Sequence, residues 1–129
     1  MTVSMDDTLE KIKSLFTQHK FHHVLVLDEG RLIGVISDRD VLKQISPYVG
    51  TMAEDNRDLN TLKKRAHQVM SRKIVSISKS VGVEKAAQLL LTEDISCLPV
   101  LSESGGVEGI LTRHDLLNYY VFKKDKVAV

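Results

Sequence analysis

Apolar residues recur along the chain at two spacings, which predict helices and strands in alternation. Behind Thr8, a residue type that caps helix N-termini, Leu9, Ile12 and Phe16 share one helical face. Asp28-Glu29-Gly30 separates two apolar runs and predicts the turn of a β-hairpin. The first third of the chain therefore predicts, in order, a strand end at 2–5, a helix from 9 to about 20, strands at 22–27 and 32–36, and a helix from 38 to about 45.

The same order of elements returns in the second half of the chain, which makes the sequence an internal repeat. Val26 aligns with Val100, and beyond a turn that is one residue longer Gly34 aligns with Gly109. The second copy extends from Ile74 to about Phe122 and again begins with a predicted strand. Its other predicted elements are a helix carrying Val83, Ala86, Ala87, Leu89 and Leu90, hairpin strands at 98–101 and 107–111, and a last helix carrying Leu116, Leu117, Tyr120 and Val121.

The stretch between the two copies is polar and charged. Pro47 and Gly50 end the preceding helix, and apolar residues at helical intervals within 54–68 predict a linking helix. We therefore expect four segments: repeat 1 at 1–46, a linker with a helix at 47–69, repeat 2 at 70–122, and a frayed tail at 123–129.

One turn appears in both copies, at the point where the last strand meets the last helix. Ser37 is followed three residues later by Asp40, and Thr112 by Asp115. A hydroxyl with a carboxylate at this spacing resembles a capping box with Asp in place of Glu, so these residues are explained by helix capping alone. A helix N-terminus also attracts anions, because its N–H groups are unpaired and carry positive partial charge. Both interpretations remain open from the residues.

Composition excludes several classes of function. The 129 residues are 43% apolar, which is enough for a core, and 18 Lys and Arg face 17 Asp and Glu for a net charge of +1. With a net charge so close to zero, the protein lacks the excess positive charge that would attract nucleic acid or anionic lipid non-specifically. No apolar run approaches the roughly 20 residues that span a bilayer, and no signal peptide is visible. We expect a cytoplasmic protein without membrane insertion, with its single cysteine, Cys97, packed in the core.

The residues assemble no catalytic or metal-binding motif. There is no phosphate-binding P-loop, no cysteine paired with a histidine, and no spacing typical of metal ligands. His22 and His23 are adjacent in a predicted strand, so their side chains point to opposite faces and do not chelate one ion. We predict no catalytic residue, no metal site, no required cofactor and no enzyme activity.

Three features together resemble a known family. They are the hairpin sequence Leu98-Pro99-Val100-Leu101, the doubled turn described above, and the dipeptide Met70-Ser71, which precedes a predicted strand and a predicted helix that carries Val83 and Ala86. In these features the sequence resembles a tandem pair of cystathionine β-synthase (CBS) domains, often called a Bateman module. The resemblance covers nearly the whole chain.

The resemblance implies a fold and a function. The fold is α/β (α+β), with two β-α-β-β-α repeats packed as a pseudo-two-fold pair. The function is that of a non-catalytic regulatory module for energy sensing, with an adenosine nucleotide such as AMP, ADP or ATP, or S-adenosylmethionine, bound in clefts between the repeats. Family modules also pair through their helices into homodimers.

The resemblance also assigns roles to residues of the doubled turn. Asp40 and Asp115 would accept hydrogen bonds from the two ribose hydroxyls, a task that suits a carboxylate. Ser37 and Thr112 would hold ribose or phosphate oxygens. The residues that would offset phosphate charge are Arg39, Arg113 and His114.

The adenine would lie in an apolar slot. In the second repeat the implied slot residues are Ile74, Val75, Ser76, Leu98 and Pro99, and in the first repeat they are Thr2, Val3, Val24 and Leu25. The first repeat begins at the position equivalent to Val75 and has Leu25 where the second has Pro99. We therefore favour the Asp115 site if only one is occupied.

Two alternatives remain. One is a structural homodimerisation module with empty clefts, suggested by apolar helix faces that carry Leu9, Ile12 and Phe16 in repeat 1 and Val83, Ala87 and Leu90 in repeat 2. The other is a regulatory fragment of a larger enzyme or transporter.

Overall fold

The computed structural model describes residues 1–125, with side chains up to 122. The chain divides into two compact units, Met1–Lys73 and Ile74–Val129. The charged linker therefore belongs to the first unit.

A three-stranded sheet organises the first unit, with strands β1 (Thr2–Ser4), β2 (His23–Asp28) and β3 (Arg31–Ser37) in that spatial order. β1 runs parallel to β2, and β2 and β3 form the predicted antiparallel hairpin. The two-residue loop between them has positive φ at both Glu29 and Gly30, 49° and 79°. Such a loop matches the twist of a hairpin, and glycine adopts its conformation without a steric cost.

Four helices accompany this sheet: α1 (Leu9–Gln18), α2 (Asp38–Gln44), α3 (Asn56–Thr61) and α4 (Ala66–Val69). The apolar positions at helical spacing in α1 face the core, where Leu9 and Ile12 are fully buried. The complete core cluster comprises Val3, Leu9, Ile12, Val24, Val26, Ile36, Val41, Ala66 and Met70.

The predicted single linking helix over 54–68 is wrong, because α3 and α4 are separate. The Leu9 and Glu10 amides at the start of α1 donate to the carbonyls of Lys64 and Leu62 at 2.9 and 3.0 Å. The first amides of a helix need partners from outside it. Here the first amides of α1 donate to carbonyls of the linker residues Leu62 and Lys64. Because these carbonyls are used by α1, the linker does not continue as one helix through 62–65.

The second unit contains α5 (Val83–Thr92), β4 (Cys97–Leu101), β5 (Val107–Thr112) and α6 (Arg113–Asp125). β4 and β5 form the second predicted hairpin, around a core cluster of Ala86, Leu90, Leu98 and Leu116. The strand expected to begin this repeat at Ile74 is reduced to a single parallel bridge between Ile77 and Val100. Part of the predicted tail is helical, since α6 continues to Asp125; positions 126–129 lie outside the described residues.

The described residues form a mixed α/β protein with two β-sheets and six helices, which confirms the predicted fold class. None of these helices combines the length and apolar character that a membrane crossing requires. The helix faces proposed for dimerisation are largely used within their own units, because Leu9, Ile12 and Leu90 are buried there. Cys97 is also buried, and burial raises the pKa of its thiol to about 11.

Candidate functional site

The first copy of the doubled turn is a capping box, as the sequence predicts. The Ser37 amide donates to Asp40 Oδ2 at 2.8 Å, and the Asp40 amide donates to Ser37 Oγ at 3.1 Å. Ser37 ends β3 with extended backbone, so the chain turns directly from the sheet into α2. The box thereby fixes both side chains at the start of that helix.

The second copy has the same arrangement with one additional bond. The Thr112 amide and hydroxyl both donate to Asp115 Oδ2, at 2.8 and 3.0 Å. The Asp115 amide donates to Thr112 Oγ1 at 3.2 Å. Thr112 ends β5, and α6 begins at the next residue.

Capping uses only one oxygen of each carboxylate. The hydrogen bonds to the Asp40 and Asp115 side chains fall on Oδ2, and Oδ1 of each has no hydrogen bond from a described protein group. Asp115 is exposed, whereas Asp40 is half-buried. Each turn therefore keeps an ionised acceptor oxygen that can receive hydrogen bonds from hydroxyl groups of a ligand.

The charges beside the two boxes differ. In the first unit, Asp38 follows Ser37 and lies 2.8 Å from His22 Nδ1, and its amide donates to the His22 carbonyl at 2.9 Å. In the second unit the aligned residue is Arg113, whose amide donates to the Ser96 carbonyl at 3.3 Å. The backbone contact is thus the same, but an acid in one unit is replaced by a base in the other.

Arg113 and the exposed His114 place cationic or titratable groups on the first turn of α6. Arg113 Nη2 lies 3.7 Å from Asp94 Oδ1, and the Asp94 side chain is 99% exposed. Exposed pairs of this kind stabilise a protein by at most about 1 kcal/mol. The guanidinium is therefore able to exchange this partner for a phosphate.

His23 is a site neighbour that sequence reasoning considered only as a metal ligand. It lies opposite Ser37 in the β2–β3 register and is half-buried. Burial lowers the pKa of His23, although the nearby Asp38 and Asp40 carboxylates act in the opposite direction. The net effect of its surroundings therefore favours the neutral imidazole. The sequence does contain a clue that His23 is partly buried, because His23 aligns with Cys97 of the second repeat, which is expected in the core.

Several predicted slot residues belong to the cores. Val3, Val24 and Leu98 are 5%, 0% and 0% exposed, so a ligand would meet their backbone rather than their side chains. Leu25 and Pro99 are also buried, at the centres of their hairpins.

The remaining slot residues lie nearer the surface. In the second unit Val75 and Ile74 are half-buried, and Val75 packs on the cluster that contains Leu98. Ser76 is exposed, as is Thr2 in the first unit, and so is Arg39 beside the first box.

The linker forms a broad, open depression of about 460 Å³. Its lining residues are Ser46, Tyr48, Ala53, Asp55, Arg57, Asp58 and Thr61, and none of them is a predicted site residue. Sequence reasoning missed this depression, because it arises from contacts between residues more than ten positions apart, such as Ser46 with Asp58. In the described part of the chain, His, Cys, Asp and Glu side chains form no group of three or more that could hold a metal ion.

Comparison with known proteins places both units in one family. The sequence profile of the CBS domain matches residues 1–47 and 66–121. A CBS domain-containing protein of Dictyostelium discoideum is 32% identical over 122 residues, which cover 93% of this chain and 83% of that protein. Protein MJ1225 of Methanocaldococcus jannaschii is 26% identical over 115 residues; the match covers 88% of this chain but only 41% of that protein.

Solved structures have the same fold. The CBS domain pair of protein MJ0100, in complex with 5′-methylthioadenosine and S-adenosyl-L-methionine, matches with a TM-score of 0.78 and 23% identity over 96% of this chain and 90% of that one. The structure of CBSX2 in complex with AMP matches with a TM-score of 0.76 and 26% identity, over 96% of this chain and 89% of that one.

Proposed function

Because the chain belongs to the CBS domain family, as a tandem pair of CBS domains, we propose that it is a non-catalytic cytoplasmic regulator that binds an adenosyl compound. The observation that carries the proposal is Asp115 Oδ1, an acceptor without a hydrogen bond from the described protein, at the start of α6. Support comes from the adenosyl ligands bound by CBSX2 and MJ0100.

The chemistry of the second turn suits a ribose with an attached phosphate. The two ribose hydroxyls donate to Asp115 Oδ1, and the Thr112 hydroxyl remains close enough to contact the sugar. The phosphate lies toward the first turn of α6, where the Arg113 guanidinium can donate two hydrogen bonds to it in a bidentate manner. The N-terminus of the helix adds positive partial charge. An anionic ligand is thereby favoured at this turn.

The first turn is a poorer phosphate site. Asp38 occupies the position of Arg113, and its carboxylate repels an incoming phosphate. Arg39 is the only cation that the first turn of α2 contributes. We therefore assign phosphorylated ligands to the Asp115 turn, while the Asp40 turn retains the acceptor for an uncharged nucleoside.

Regulation would follow from a shift between conformations of the protein. A ligand changes such an equilibrium only by the difference in its affinity for the two conformations. The adenosyl compound therefore acts as a signal if it binds one conformation more tightly than the other. A partner or a second copy of the chain then recognises the favoured conformation.

Calorimetric titration with AMP, ADP, ATP and S-adenosylmethionine tests the proposal, together with the variant Asp115→Asn. Asparagine keeps one carbonyl oxygen for the cap but presents an NH₂ donor to the ribose, so we expect at least a tenfold loss of affinity with little loss of thermal stability. Asp58→Asn is the matched control, because Asp58 has the same capping role in α3. Absence of binding by a folded wild-type sample at millimolar ligand would contradict the proposal.

A second candidate function is homodimerisation, favoured by exposed apolar side chains on α6. Leu117, Val121 and Phe122 are 64%, 58% and 67% exposed, and Leu117 and Val121 lie one helical turn apart. Apolar side chains grouped in this way are typical of an interaction surface. Sedimentation of Leu117→Glu should show a dissociated dimer, whereas Met52→Glu in the exposed linker should not. A wild-type monomer at micromolar concentration excludes this candidate.

A further inference from the structure

A histidine directly before β2 contacts the first turn of α2 through its side chain and its backbone. His22 Nδ1 lies 2.8 Å from Asp38 Oδ2, and the Asp38 amide donates to the His22 carbonyl at 2.9 Å. Asp38 in turn lies between Ser37 and Asp40, the two residues of the capping box. A change in the charge of the His22 imidazole therefore changes the electrostatic potential at the first candidate site.

The second unit has the same backbone contact but neither of these side chains. The Arg113 amide donates to the Ser96 carbonyl at 3.3 Å. Ser96 aligns with His22, and Arg113 aligns with Asp38, so both partners of the contact differ between the repeats. A permanent cation in the second unit is thus replaced in the first by an acid that has a titratable partner.

The two turns also differ in charge. Residues 38–40 comprise two acids and one base and carry a charge of −1, whereas one base and one acid give 113–115 no net charge when His114 is counted as neutral. Protonation of His22 would bring the first turn and its neighbour to that same balance. An imidazole ordinarily titrates at about pH 6.5, so a moderate fall from neutral pH is enough for this change.

The other charged groups around His22 do not supply such a change. Burial is the main cause that lowers the pKa of His23, and a protonated His22 lowers it further. The neighbouring strand β1 carries only uncharged side chains. Apart from Asp38 and Asp40, the charged or titratable groups that precede β1, follow α1 or begin α2 are exposed; they are the Met1 amino group, His19, Lys20 and Arg39.

We propose that His22 and Asp38 determine which ligands the first turn accepts, an inference that rests on the function proposed above. With His22 neutral, the turn favours an uncharged adenosyl compound. With His22 protonated, it also binds an adenosyl compound that carries a phosphate. The protein thereby gains a second phosphate-binding turn when the pH falls.

Protonation acts on the turn in two ways. It compensates the Asp38 carboxylate across a charge-assisted hydrogen bond. It also converts Nε2, the ring nitrogen that does not face Asp38, from an acceptor into a donor if Nδ1 carries the proton of the neutral ring. A phosphate bound nearby favours the protonated ring in return, because an opposite charge stabilises an ionised group.

Adenosine and the methyl ester of AMP form the ligand pair that tests this inference on the full chain. The ester keeps one negative charge between about pH 5.5 and about pH 7.5, unlike AMP, whose phosphate titrates at about pH 6. In an NMR titration the Asp40 amide reports on the first turn and the Asp115 amide on the second. At the Asp40 amide we expect the ester to bind about fivefold more tightly at the lower pH, and adenosine to bind equally at both.

The imidazole C–H resonance of His22 provides a second, independent measurement. Ligand and proton affect each other's binding by the same factor. The fivefold preference must therefore move the midpoint of the His22 titration upward by about 0.7 pH unit at saturating ester. Saturating adenosine should leave the midpoint in place.

Three variants separate the charge of the pair from its structural role. His22→Gln keeps a donor for Asp38 without the charge, so the ester affinity at the Asp40 amide should no longer depend on pH. Asp38→Asn should bind the ester at about pH 7.5 as tightly as the wild type does at about pH 5.5. His67→Gln is the matched control and should behave as the wild type, because the His67 amide donates to the Met5 carbonyl at the end of the sheet away from His22.

The possible outcomes distinguish this inference from the function on which it rests. Adenosine binding at the Asp40 amide with no gain for the ester at the lower pH would overturn the inference alone. A gain that survives in His22→Gln would overturn it as well. A folded sample in which neither ligand affects either turn would overturn the proposed function together with it.

Discussion

At the residue scale, Gly34 and Gly109 occupy equivalent places in the two repeats but have different surroundings. A Cβ on Gly34 would lie 2.7 Å from Met70 Cγ and 2.9 Å from Met70 Cβ, whereas one on Gly109 meets no described atom within 4 Å. Met70 is 8% exposed and belongs to the core cluster, so its Cβ cannot move far. The two glycines therefore form an internally matched pair.

We expect Gly34→Ala to destabilise the protein by about 1–3 kcal/mol, the usual range for overpacking a core. Gly109→Ala should change the free energy of unfolding by no more than about 0.5 kcal/mol, as for most surface substitutions. Urea denaturation of both variants beside the wild type measures the difference. Equal effects at the two positions would show that Met70 does not pack on Gly34 in solution.

The same pair of glycines shows where sequence reasoning stops at this scale. Both capping boxes were predicted because all their contacts lie within four consecutive residues. The Met70 contact with Gly34 joins residues far apart in the sequence, and the glycine itself looks identical in both repeats. The local sequence pattern does not distinguish a residue that lines a ligand slot from one that is buried in the core, as Val24 and Leu98 are. Nor does it show that the Asp38 and Asp40 carboxylates lie near His23.

At the scale of elements, the linker is the part that the sequence pattern described least well. Its apolar residues recur at helical intervals, and yet the chain forms two short helices because carbonyls of 62 and 64 are used by the start of α1. The linker is instead held to the end of α2 by side chains. The Ser46 hydroxyl donates to Asp58 Oδ1 at 2.6 Å, and the Ser46 amide donates to Thr61 Oγ1 at 3.0 Å.

The hydrogen bond from Ser46 to Asp58 leads us to a prediction about the titration of Asp58. The Ser46 hydroxyl is the main cause that lowers the pKa of the Asp58 carboxyl, with the Asp55 amide next. A lowered pKa stabilises the fold above the ordinary carboxyl value of 3.8, and this contribution is lost as the pH falls through the lower native value. Ser46→Ala should therefore raise the pKa of Asp58 toward 3.8.

Carbon-detected NMR titration of the Asp58 carboxyl measures this change directly. Ser104→Ala, in the hairpin turn of the second unit, is the control and should leave the titration as in the wild type. If Ser46→Ala also leaves it unchanged, then the hydroxyl contact is not populated in solution.

At the scale of the whole molecule, the repeat made most of the architecture predictable. Aligned apolar positions located both hairpins, the helices after them, and the apolar faces of α1 and α5 that enter the two cores. The allocation of the linker to the first unit was not predictable, because it depends on bonds from 62–71 back to residues of α1 and β3. The repeat also implied two ligand sites, and differences between the copies, such as Leu25 in place of Pro99, already favoured the site at Asp115. Asp38 in place of Arg113 is a further difference of this kind.

The last prediction follows from that difference. Because Asp38 stands where Arg113 does, we expect ATP to bind with a stoichiometry near one per chain, at the Asp115 turn. At 100 times the dissociation constant the bound ligand stabilises the fold by about 2.7 kcal/mol, which corresponds to a rise of several degrees in melting temperature. This rise should persist in Asp40→Asn and fall to about half or less in Asp115→Asn, because a tenfold loss of affinity leaves about 1.4 kcal/mol at the same ligand concentration. Two equivalent sites, each weakened by its own substitution, would mean that the carboxylate of Asp38 does not decide where phosphate binds.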